Sequence, residues 1–171
     1  FFFGKDGDVS NVKKKLLKKK NYIHYNISIT DKDKINSIFK KYAKSIKLII
    51  HTAAQPSHDW AYKNAILDFD INAKGTLYLL EATKNYCKKA KFILTSTNKV
   101  YGDTPNYLKL KKNKFRLEID KKHKFYNGID ESMSIDKSVH SLFGSSKLYG
   151  DIITQEFGKN FGLKTLVLRA G

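Results

Sequence analysis

Three short runs, Leu48-Ile49-Ile50, Phe92-Ile93-Leu94 and Thr165-Leu166-Val167-Leu168, are apolar at almost every position and do not alternate. That pattern constrains the fold most, because a strand apolar at successive positions is buried on both faces, as in a parallel sheet covered by helices. Between the runs, apolar residues recur at helical spacing. Ile35, Ile38, Phe39, Tyr42 and Ile46 form one stripe, and Thr30 and Asp31 stand where they can cap its helix. A longer helical region covers residues 64–86, with Ile71, Leu77, Leu79 and Leu80 inward, and another covers residues 141–161. Upstream, residues 9–19 place Val9, Val12, Leu16 and Leu17 at helical spacing, and the alternating run 22–29 reads as a further strand. Strands that alternate with helices predict an α/β fold, a doubly wound parallel sheet with right-handed crossovers. Ligands then bind beyond the carboxyl ends of the strands, which directs attention to residues 51–60 and 95–103.

A chain of 171 residues with 41% hydrophobic content suits a single domain. No apolar run approaches the roughly 18 residues that span a bilayer, and Phe1-Phe2-Phe3-Gly4-Lys5 lacks a signal-peptide layout, so a cytoplasmic protein with no membrane partner is expected. Cys87 is the only cysteine, which excludes an intrachain disulfide and a cysteine-based metal site; no metal is expected. The formal charge of +17 raises the question of nucleic acid. Of the 33 basic residues only Arg116 and Arg169 are arginine, whereas phosphate and base readout favour the guanidinium fork, so no nucleic-acid partner is expected. Residues 104–140 break the strand–helix rhythm as an irregular, lysine-rich insertion.

Two groups stand where a sheet of this kind does chemistry. Thr97 ends the strand around Phe92-Ile93-Leu94, where a hydroxyl can hydrogen-bond a substrate alcohol as charge develops on it. Lys147 lies four residues after Phe143 in Phe143-Gly144-Ser145-Ser146-Lys147, one helical turn away on the same face. A lysine one turn beyond a tyrosine would lower the phenol pKa and hold a cofactor ribose. Here the ring has no hydroxyl. His140, three residues before Phe143, and Tyr149, two after Lys147, are the nearby candidates for a substitute proton carrier, and His140 is favoured because it can share the helix face.

The segments His51-Thr52-Ala53-Ala54-Gln55-Pro56-Ser57-His58, Asp70-Ile71-Asn72-Ala73-Lys74-Gly75-Thr76, Ser96 to Asp103, Gly128-Ile129-Asp130-Glu131-Ser132 and Phe143 to Lys147 together resemble the extended short-chain dehydrogenase/reductases, the NAD-dependent nucleotide-sugar epimerase/dehydratase family. The resemblance implies a Rossmann-type domain that holds NAD and inverts a sugar carbon through a transient ketone. It implies Thr97 and Lys147 as catalytic residues, with Phe143 at the tyrosine position. Ser28, Ile29, Ala53, Ala54, Gln55, Asn72 and Lys147 would bind the cofactor, and Ser57, His58, Asn98 and Lys99 the substrate. Asn98 and Lys99 occupy positions where dehydratases of the family carry an acidic pair, so epimerisation of a nucleotide sugar, a CDP-sugar favoured, is expected over loss of water. The alternative is a catalytically impaired NAD-binding member with a regulatory or structural role, because of Phe143. The family's first strand and Gly-rich pyrophosphate loop have no counterpart, since Gly4 and Gly7 follow no strand-like run. The chain is therefore expected to be an internal fragment, residues 1–171 forming a partial NAD-binding domain that lacks that loop and the C-terminal substrate domain and does not retain NAD alone. A homo-oligomer through the two long helical regions is also expected.

Overall fold

The computed structural model describes residues 8–170; Gly4, Gly7 and Gly171 fall outside them. Helix α1 (Ser10–Leu17) and helix α2 (Lys32–Tyr42) precede strand β1 (Leu48–His51). Helices α3 (His58–Lys63), α4 (Ala65–Phe69) and α5 (Gly75–Tyr86) follow, then β2 (Lys91–Thr97), the small strands β3 (Leu110–Lys112) and β4 (Leu117–Ile119), helix α6 (Ser141–Phe161) and β5 (Lys164–Ala170). The main sheet is parallel with order β1-β2-β5, in register from Leu48 opposite Lys91 to Thr97 opposite Ala170. The expected parallel α/β architecture is present. Asp31 caps α2 by accepting the Lys34 N–H, and α6 stops at Gly162, whose φ of 67° is left-handed.

One core holds the sheet to its helices: Ile35 and Phe39 from α2, Leu79 and Leu80 from α5, Phe157 from α6, and Phe92 and Leu94 from β2. Helix α2 packs on α5, α5 on α6, and α6 on β2 and β5. Contrary to the reading of strands buried on both faces, Leu48, Ile50, Leu166 and Leu168 remain about half exposed, so among the described residues helices bury one face only. Residues 22–29 are a second correction. Tyr25, Ile27 and Ile29 are half-buried and Asn26 and Ser28 exposed, so the side chains alternate as read, but no described strand lies alongside to form a ladder. Helix α1 forms as its spacing predicts and buries none of its residues. The helix read over residues 64–86 is present, but its middle, Asp70–Lys74, widens into a π turn. Residues 104–140 are less irregular than their composition suggests: β3 and β4 form an antiparallel hairpin, and Phe125 and Met133 pack with Val100 and Tyr101 in a small second core.

Two buried polar groups tie these pieces together. The Asp151 carboxylate, fully buried, accepts from Arg169 Nε at 3.0 Å and Nη2 at 2.9 Å, from Ser96 Oγ at 2.7 Å and from Gln155 Nε2 at 2.8 Å. Arg169 Nη1 also donates to the Tyr101 hydroxyl, which donates to Asp130 O. The His51 ring, 3% exposed, sits 2.9 Å through Nε2 from Thr76 Oγ1, whose own hydroxyl donates to Asn72 O. Burial, and then the nearby Lys147 charge, push this imidazole down to about 4.

Removing the Asp151 carboxylate leaves Arg169 unpaired, so Asp151→Ala is expected to cost about 3–5 kcal/mol in urea unfolding. His51 gives a pH signature: the unfolded chain takes up a proton below pH 6.5 that the fold refuses until about pH 4. Stability from this group is complete above pH 6.5 and falls by up to about 3 kcal/mol on acidification toward pH 4. His51→Gln should remove that slope in unfolding measured across the same range.

Candidate functional site

Strand β1 ends at His51, and the chain then runs over the carboxyl edge of the sheet through Thr52, Ala53 and Ala54, all exposed. Gln55 turns inward and is clamped by Asn72: Gln55 N donates to Asn72 Oδ1 at 2.9 Å, and Asn72 Nδ2 donates back to Gln55 O at 3.1 Å. One side-chain amide thus pairs with this loop as a neighbouring strand's peptide would. Asn72 lies in the π turn, a distortion frequent at functional sites. Its amide also reaches Asp68 Oδ1 and Ser146 Oγ, each at 3.1 Å, and Gln55 Nε2 donates to Asp68 Oδ1 at 2.7 Å. All four residues are buried. Sequence reading found Gln55 and Asn72 and missed Asp68 and Ser146. The i, i+4 pair Asp68 and Asn72 on one helical face is the signal that pointed to the first.

Lys147 enters the same edge from α6. It is only 7% exposed, and its ammonium donates to Thr95 O at 2.9 Å. Burial lowers its pKa, while the Asp151 and Asp68 carboxylates act in the opposite direction. Thr95 and Thr97 are two apart on β2 and so lie on one face of the sheet. Thr97 Oγ1 accepts the Lys99 N–H at 3.2 Å and lies 3.3 Å from Asn98 Oδ1, capping the single-turn helix Asn98–Tyr101 at the end of the strand. The structure therefore gathers Ala53, Ala54, Gln55, Asn72, Thr97 and Lys147 at one edge. Ser28 and Ile29 stand at the end of the extended run 22–29. The Ser28 hydroxyl bonds within its own turn to Thr30, and Ile29 packs so closely on Gly75 that an added Cβ there would sit 2.6 Å from its Cδ1.

Phe143 is buried at 8% exposure, and the ring against it is His58, with centroids 4.8 Å apart and planes tilted by 58°. His58 opens α3, which Ser57 caps by accepting the Trp60 N–H at 3.2 Å. His140 is engaged elsewhere: Nε2 meets Ile135 O at 2.7 Å, and Nδ1 is closed off from solvent with no partner. Gly102, at φ 55°, passes so near that a Cβ would meet this Nδ1 at 2.8 Å, so no side chain fits there. Tyr149 turns away and packs beside Phe69. A cleft of about 340 Å³ opens between His58, Asn98, Lys99, Gly102, His140 and Ser141, immediately beyond Thr97.

This donor set fits a dinucleotide: exposed small residues at Ala53 and Ala54 permit close approach, and a buried cation and a strand-end hydroxyl stand beside them. Comparison with known proteins agrees. The chain is 37% identical to CDP-paratose 2-epimerase of Salmonella typhi over 142 residues, and 32% identical to dTDP-D-glucose 4,6-dehydratase of Dictyostelium discoideum over 158 residues. These matches take in 82% and 91% of the chain but only 39% and 32% of those relatives' own lengths. Its fold matches that of the Thermus thermophilus UDP-glucose 4-epimerase in complex with NAD, with TM-score 0.65 and 23% identity over 88% of this chain and 41% of that one. The family model for NAD dependent epimerase/dehydratase covers residues 4–171, and the chain belongs to that family.

Proposed function

We propose that the chain is the cofactor-binding part of an NAD-dependent nucleotide-sugar epimerase similar to CDP-paratose 2-epimerase, acting on a CDP-sugar. The observation that carries this reading is the placement of Lys147: a buried ammonium fixed to Thr95 O, two residues before Thr97 at the carboxyl end of β2. NAD, when bound, supplies a reversible hydride acceptor for the sugar carbon. The chain's residues bind and orient. Ala53, Ala54 and Gln55 line the cofactor, Asn72 holds that loop in place, Lys147 offers its charge to the ribose, and Ser28 and Ile29 stand on the adenine side. Thr97 Oγ1 takes the hydroxyl of the reacting carbon and stabilises charge on its oxygen. Ser57, His58, Asn98 and Lys99 contact the substrate, the last three from the cleft. Asn98 and Lys99 supply no carboxylate for water elimination, which favours epimerisation. Exposed Ile66, Phe69, Tyr149 and Ile152 give α4 and α6 apolar outer surfaces suited to a second copy of the protein. Phe143 carries the second reading, a member that binds dinucleotide without turnover, because a buried benzyl group cannot exchange the alcohol proton.

Purified full-length protein given CDP- and UDP-sugars is expected to invert one sugar carbon, traced by NMR, with the CDP-sugar preferred. Bound NAD without inversion would favour the second reading, and loss of water from the sugar would contradict the role given to Asn98 and Lys99. Lys147→Met is expected to weaken NAD binding and lower turnover together, whereas Thr97→Val should leave NAD bound and reduce turnover about 10²-fold or more, as removal of one donor to a developing oxyanion does. Cofactor content by absorbance and turnover by NMR separate the two.

A further inference from the structure

The substitution at position 143 removes the group that would exchange a proton with the sugar, and the structure places another titratable ring directly against it. We propose that His58 is the catalytic acid/base of this site, with Ser141 as the residue that positions it; the proposal rests on the epimerase reading above. The His58 imidazole packs on Phe143 at 4.8 Å between centroids and borders the cleft that begins beyond Thr97. Its Nδ1 lies 3.1 Å from Ser141 Oγ. Ser141 is held in turn, because its Oγ also accepts the Gly144 N–H at 3.1 Å at the first turn of α6, and its backbone takes the uncommon φ of 57°. With one lone pair occupied by Gly144, the second is available to accept Nδ1–H. In the proposed arrangement Ser141 Oγ accepts Nδ1–H, which leaves the free lone pair on Nε2.

The proton step balances. The O–H bond of the sugar alcohol breaks and its proton passes to Nε2, while the hydride from the same carbon goes to oxidised NAD. On the return, hydride is delivered to the opposite face of the ketone carbon and the proton to its oxygen, so the carbon is inverted and the imidazolium becomes neutral again. His140 is the poorer candidate, since Nε2 is held by Ile135 O at 2.7 Å and Nδ1 is closed to solvent. The acid/base thus comes from α3, packed against the first turn of α6.

Two measurements on the full-length protein loaded with NAD test this. The ¹⁵N shifts of the His58 ring should report the Nδ1–H tautomer, and Ser141→Ala should move it toward Nε2–H; an Nε2–H tautomer in the unmodified protein would overturn the proposal. His58→Gln should lower turnover of the CDP-sugar by about 10²–10⁴-fold with NAD content retained. Adding Phe143→Tyr to that variant should restore much of the rate, because a phenol then stands at the position the imidazole serves. Turnover undiminished in His58→Gln overturns the role of His58 alone. No turnover of any nucleotide sugar by the unmodified protein overturns the epimerase reading and this role with it.

Discussion

A carboxylate with no exposed surface is tolerable only when its charge and lone pairs are all engaged, and Asp151 meets that condition through three side chains, from β5, β2 and its own helix. Arg169 of β5 reaches both its oxygens, Ser96 of β2 takes one, and Gln155 the other. Through Tyr101 the guanidinium continues to Asp130, so the segment after β2 joins the same network. The rotation of α6 about its axis follows from this. Lys147 is four residues before Asp151 and shares its face, so fixing Asp151 against β2 and β5 aims the ammonium at Thr95 O. Sliding α6 by one residue would turn Lys147 away by about 100° and bury an unpaired acid.

The second polar network does for the loops what Asp151 does for the helix. Asp68, Gln55, Asn72 and Ser146 join α4, the loop after β1, the π turn and α6. Ser146 is the neighbour of Lys147, so the loop after β1 and the lysine at its edge are positioned by adjacent residues of one helix. The π turn gives Asn72 the reach to bracket Gln55 from both backbone sides, while Leu79 and Leu80 further along still enter the core. Regular helix would set Asn72 back relative to the loop.

Much of this was legible from spacing. The runs at Leu48, Phe92 and Thr165 became the three parallel strands, and Thr97 and Lys147, with Gln55 and Asn72 that only the family resemblance had marked, fell at one edge. Spacing reports a strand's own side chains and says nothing about who stands beside it. That is why residues 22–29 show the alternation of a strand and no ladder, and why Leu166 and Leu168 read as buried while remaining half exposed. The π turn was illegible for a related reason: it changes the local count by one residue without altering which residues are apolar. Asp68 and Asp151 each sit four residues from a group already singled out, a signal available in the sequence but easily taken for surface charge. His58 against Phe143 was beyond reach, since the contact joins positions separated by half the chain.

Phe143 alters what Lys147 is for. Where a phenol stands one turn away, a buried ammonium both depresses the phenol's pKa and holds the cofactor, and the two tasks share one charge. Without the phenol the first task falls away and the second is the role proposed for Lys147, yet the cost of burying the lysine is unchanged and is offset by Asp68, Asp151 and the Thr95 carbonyl. Those partners belong to the networks that fix α6 and the loop after β1, so the charge is maintained by the fold independently of what stands at position 143. A proton carrier therefore need not be on α6 at all. It needs only to face the cleft beyond Thr97, and α3 brings an imidazole there with one nitrogen already bonded.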